Sequence, residues 1–167
     1  MNYVPLIAID CKGAGMKNDN GQVRLVTEHP QKVRVVDVPN GSHRADEGWI
    51  NMKVQWVITK TSGGAESSVF GITTFPPGSR HDIHRHKSAE EIEYLISGEG
   101  IARIGDADVV MVPGDVVIAK KNESHGFWNT SATEDAVLLW FYAGAADLEE
   151  AGYEHRPEAP EHGHSHA

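Results

Sequence analysis

A period of two runs through most of this chain. Apolar residues alternate with polar ones or gather in short β-branched runs, and Gly, Pro, Asn and Asp break the pattern about every ten residues. Such segments read as short strands, so the pattern predicts an all-β sandwich or closed barrel. Ten candidate strands result, over residues 33–38, 54–59, 67–75, 82–86, 91–97, 100–104, 107–112, 115–118, 125–129 and 136–143. Between them stand Pro76-Pro77-Gly78, Ser97-Gly98-Glu99-Gly100, Gly105-Asp106 and Pro113-Gly114-Asp115, where proline fixes φ and glycine admits positive φ. Residues 145–151 read as a short helix stopped by Gly152.

The length of 167 residues suits one domain. It is expected over residues 1–153, with an N-terminal arm at about 1–32 and a barrel at about 33–143. Residues 154–167 carry Pro157, Pro160, His162, His164 and His166 without a large apolar anchor, and are expected to form a flexible tail. Acidic residues outnumber basic ones by 24 to 15, for a formal charge of −9, and the basic residues are scattered. Nucleic-acid binding is therefore disfavoured, and a small-molecule or protein partner is expected. The single cysteine, Cys11, can form no internal disulfide and fits the cytoplasm. The apolar run at residues 4–9 lacks the marks of a signal peptide, and no run approaches the roughly 18 residues of a membrane span.

Chemistry-bearing residues concentrate in one segment, Gly78-x5-His84-x-His86-x4-Glu91-x6-Gly98, followed by Gly114-x10-His125-x3-Asn129. His84 and His86 share a strand face about 6.6–6.8 Å apart, close enough to reach one ion, with Glu91 and His125 arriving from later strands. Three imidazoles and a carboxylate without thiolate suit Fe, Mn, Co, Ni, Cu or Zn and are too nitrogen-rich for Ca or Mg.

These two segments resemble the signature motifs of the cupin superfamily. The first matches throughout, including Tyr94 and the Gly98-Glu99-Gly100 hairpin; the second has Lys120 and Asn122 where the family usually has Pro and Gly. Asn122 is the milder change, because asparagine tolerates the left-handed conformation. The resemblance covers about residues 67–143. It implies a jelly-roll barrel with His84, His86, Glu91 and His125 as ligands to one divalent transition metal. Fe(II) is the favoured ion, because an octahedral centre keeps two positions for substrate or O₂.

Strand parity puts Glu93 and Leu95 on the inward face with Glu91, and Ile92, Tyr94 and Ile96 on the other. Glu93 is a candidate general acid or base; so is Tyr94, on the example of some cupin lyases. Parity further places Asp82 with His84, places Phe127 and Asn129 with His125, and turns His81 away. Function is expected to be a metal-dependent dioxygenase acting on a small enol, dicarbonyl or diol-type substrate. The alternatives are a non-redox isomerase or lyase at the same residues, or a ligand-binding or accessory module. A homodimer is expected.

Overall fold

The computed structural model describes residues 29–41 and 44–156, and every described element belongs to the unit that begins at Gln31. Most of the expected N-terminal arm, and the tail beyond Arg156, lie outside the described residues. The strands in chain order are β1 (Trp49–Ile50), β2 (Lys53–Ile58), β3 (Ser68–Phe75), β4 (Arg80–His86), β5 (Glu90–Ser97), β6 (Gly100–Ile104), β7 (Ala107–Met111), β8 (Val116–Ala119), β9 (His125–Asn129), β10 (Ala136–Ala143) and β11 (Tyr153–His155). One antiparallel sheet runs β2-β3-β10-β5-β8 and the other β1-β4-β9-β6-β7. In the second, β11 also pairs with β4, so β1 and β11 both lie on the strand that carries His84 and His86. The architecture is the expected all-β jelly roll.

Alternation builds the core. Ala136, Leu138, Trp140 and Tyr142 of β10 are buried in turn, as are Glu91, Glu93 and Leu95 of β5, and Phe75 meets Phe127 of the opposing sheet at 4.9 Å between ring centroids. Gly71 makes room for this layer: a β-carbon there would sit 2.1 Å from the Trp140 ring. The outer face of the first sheet is apolar too. Tyr94, Ile96, Val116 and Ile118 are exposed on it, with Tyr94 opposite Val116 and Ile92 opposite Ile118.

Two expectations about local structure change. Residues 33–38 form no strand; they contain a 3-10 turn at Val35–Asp37, and the carbonyls of Val35 and Val38 accept from the Gln55 side chain instead of joining a ladder. Order continues past residue 153, because β11 carries Glu154 and His155 along β4 and the Arg156 amide donates to Ile83. The short helix, α1 (Leu148–Ala151), starts on an Asp147 cap to the Glu150 amide and stops at Gly152 in the left-handed region. Among the described residues no helix is long and apolar enough to cross a membrane.

Candidate metal centre

Both sheets contribute to one cluster. In the β4-β9 ladder His84 lies directly opposite His125, while Glu91 comes from β5 in the facing sheet. Its Oε2 lies 2.9 Å from His86 Nε2, 2.8 Å from His125 Nε2 and 3.8 Å from His84 Nε2. All four side chains are buried, and one donor atom from each falls within 4.8 Å of the others. Ligands bonded to one ion at about 2.2 Å stand at most about 4.4 Å apart, so the cluster is close to the size of a coordination shell.

The histidines are held in a ligand-ready form. His84 Nδ1 donates to the Asp82 carbonyl and His125 Nδ1 to the Glu123 carbonyl, each at 2.9 Å, which turns both Nε2 atoms inward. His84 Nε2 and His86 Nδ1 are buried without a hydrogen-bond partner. Burial, with the neighbouring His125, pushes the His84 pKa down to about 3, so its imidazole is neutral. Burial opposes ionisation of Glu91, but the imidazoles of His125 and His86, hydrogen-bonded to it, outweigh that cost and hold the carboxyl well below the usual range. A divalent transition ion fits this donor set: three imidazoles, one carboxylate and the unpartnered buried Nε2 of His84.

Glu93 sits beside the cluster, 5% exposed, with Oε2 buried and unpartnered. Neither Arg80 nor Arg103 reaches it; they bind Asp82 and Asp108. Burial, and then the Glu91 charge, raises its pKa to about 8. The wall is aromatic: Trp49, Trp56, Trp140 and Tyr142 line the cavity with Met52 and Leu138. The free space within it takes about one or two water-sized spheres.

Several sequence expectations are corrected. Tyr94 is 38% exposed on the outer face, away from the cavity, so it has no catalytic contact there. His81 was expected to point away, yet it is buried, lines the cavity and stacks on His84 at 3.7 Å between ring centroids. The cause is a register shift in β4 between His81 and His84, which also leaves Asp82 half-buried beside Arg80 rather than facing in with His84. Phe127 and Asn129 are buried along with His125, as parity placed them; Phe127 packs against Phe75, and the Asn129 side-chain amide donates to the carbonyls of Phe75 and Glu134. Neither lines the cavity.

Sequence reasoning missed Tyr142 and Tyr153. Tyr142 pairs across strands with Glu91, and Trp140 with Glu93, so extending parity from β5 to β10 identifies both. Tyr153 gave no such signal; its hydroxyl donates to the Glu47 carbonyl at 2.5 Å and lies 3.1 Å from His81 Nε2 and 3.2 Å from Trp49 Nε1. Asn122 adopts φ of 65°, the left-handed conformation that asparagine tolerates.

A cupin-domain family profile matches residues 71–142. An oxalate-binding protein of Thermotoga maritima is 32% identical over 78 residues, 47% of this chain and 64% of that protein, so the match spans under two thirds of the relative. Protein SchB of Streptomyces halstedii is 28% identical over 112 residues, 65% of this chain and 77% of that one. Among solved structures, a predicted oxalate decarboxylase from Thermotoga maritima superposes with a TM-score of 0.61 at 26% identity, covering 68% of this chain and 98% of its own. The match to the cupin-domain family thus spans the residues that carry all four clustered donors.

Proposed function

We propose that this protein is a metal-dependent enzyme, an Fe(II) dioxygenase that cleaves a small enol, dicarbonyl or diol-type substrate and places both atoms of O₂ in the products. The observation that carries the reading is the buried convergence of four donor atoms within 4.8 Å, next to a second, unpartnered carboxylate. An ion held there supplies Lewis acidity toward a substrate oxygen and, as iron, redox capacity toward O₂. His84, His86, Glu91 and His125 hold it. Glu93 serves as the general acid or base, exchanging a proton with the substrate at its Oε2, which no other protein group occupies. Trp49, Trp56 and Trp140 exclude water and orient the substrate. The name of the oxalate-binding relative supports a small, oxygen-bearing ligand in general terms.

Non-redox isomerase or lyase chemistry uses the same residues, and oxygen consumption separates the two. Iron in the protein with substrate-dependent O₂ uptake supports the dioxygenase; turnover undiminished without oxygen refutes it. A homodimer completes the proposal, supported by the exposed apolar face around Tyr94, Ile96, Val116 and Ile118.

A further inference from the structure

We infer that Trp56 decides which ligands reach this centre and how large a ligand it admits. Its indole is the movable part of the wall, and ligands enter past it from an open depression on its outer side. The metal reading above supplies what lies within; the wall itself carries the inference. The cavity holds about one or two water-sized spheres, so any organic ligand needs part of that wall to move.

Among the described residues that line the cavity, all are buried except Trp56, which is half-buried. Trp56 closes a seam between the sheets. β2 ends one sheet and β1 the other, and Trp56 and Trp49 meet across that gap with ring centroids 6.2 Å apart. Trp49 is pinned: its Nε1 donates to the Tyr153 hydroxyl at 3.2 Å, and the Arg44 guanidinium lies 5.5 Å from its ring centroid. Trp140 is pinned too, through Nε1 on Thr73 Oγ1 at 2.9 Å. Among the described residues no acceptor takes the Trp56 N–H; ring contacts hold it, with the Trp140 centroid 4.9 Å away.

The backbone under Trp56 departs from regular pairing. The register of β2 on β3 shifts between Trp56 and Ile58, and such a bulge loosens the ladder and re-aims the side chains beside it. Outside the ring there is room. Among the described residues only Trp49 and Trp56 border both the cavity and the depression, whose volume of about 400 Å³ is that of a site for a whole small molecule, so an indole fits there. Gly41 lies along the outer edge of the ring. A β-carbon there would stand 3.4 Å from Trp56 Nε1, so the missing side chain leaves the ring space to turn.

The test uses acetohydroxamate and benzohydroxamate, which chelate through the same two oxygens and differ in carrying a methyl or a phenyl group. The full chain is loaded with Co(II); stopped-flow absorbance gives association rates and calorimetry gives affinities. His84→Ala, which keeps the tail histidines, gives the background. Trp56→Ala is expected to raise the association rate of acetohydroxamate by about tenfold or more, because entry no longer waits on the ring. It is also expected to shift relative affinity toward benzohydroxamate by about tenfold or more, the scale set by burying one phenyl ring. Leu138→Val, which enlarges the cavity on a side that does not border the depression, is expected to leave the rate unchanged. Trp56→Phe is expected to raise the rate by a smaller factor, and it decides the matter if the alanine variant does not retain Co(II). An unchanged rate and preference in the Trp56 variants overturns the inference, and so does an equal rise in Leu138→Val. Equal Co(II) retention by the wild-type protein and His84→Ala overturns the metal reading instead.

Discussion

Adding a divalent transition ion to the metal-free protein should raise its melting temperature by about 10 °C, and His125→Ala should abolish the rise. The four donors come from β4, β5 and β9 and converge only when the two sheets are packed, so the site exists in the folded state alone. Such selective binding stabilises by about 2.7 kcal/mol when the free ion is at a hundredfold excess over Kd. For a folded unit the size of the described residues 31–156, each kcal/mol moves Tm by about 4 °C, which gives the figure above. The melt has an advantage over counting metal atoms. His162, His164 and His166 can bind ions whether or not the domain is folded, and an ion bound equally by both states shifts no equilibrium. Differential scanning fluorimetry of chelator-treated protein, with Fe(II) under argon and with Mn(II), Co(II) and Zn(II), reads the effect directly. An equal rise in His125→Ala, or none in the wild-type protein at millimolar ion, would refute the assignment of these four residues.

Glu93→Gln should retain the ion and lower turnover by about 100-fold or more, the usual contribution of a positioned acid or base; full turnover removes the proton role. Gly71→Ala should destabilise by at least about 1–3 kcal/mol in a urea melt, because its methyl collides with the Trp140 ring. Leu95→Ala, at a fully buried position, should lower stability by about 2–5 kcal/mol. Acid should weaken the fold through Asp147 and Glu150, whose pKa values are lowered by backbone hydrogen bonds and by Lys60, and through Glu154, lowered by Arg85. Folded values below the unfolded ones mean that this contribution is present above about pH 4.5 and is lost as pH falls through the folded values; Lys60→Met should flatten part of the Tm slope between pH 5 and 3. Ile96→Lys should shift sedimentation toward the monomer, and an unchanged dimer would move the interface elsewhere.

Strand positions were readable because the sheets face a core on one side, where alternation is enforced by burial, as in Leu138, Trp140 and Tyr142. The four clustered donors were readable because glycine punctuation fixes which histidines and which of Glu90 and Glu91 face inward. Parity failed where the backbone stops alternating. The register shift in β4 turned His81 in and kept Asp82 from facing the cavity, and a bulge of one residue leaves no mark in composition. The two short strands β1 and β11 were unreadable for another reason. With two and three residues they carry no period, and only their partner β4 gives them a ladder.

The way β1 and β11 flank β4 bears on how the protein can be cut or fused. Tyr153, Glu154 and His155 pair with His86, Arg85 and His84 in turn, so a protease clip or affinity tag placed directly after Tyr153 would strip the backing from two ion-holding histidines. A truncation that removes the terminal histidines should be made after Arg156, whose amide is the last among the described residues to donate to β4.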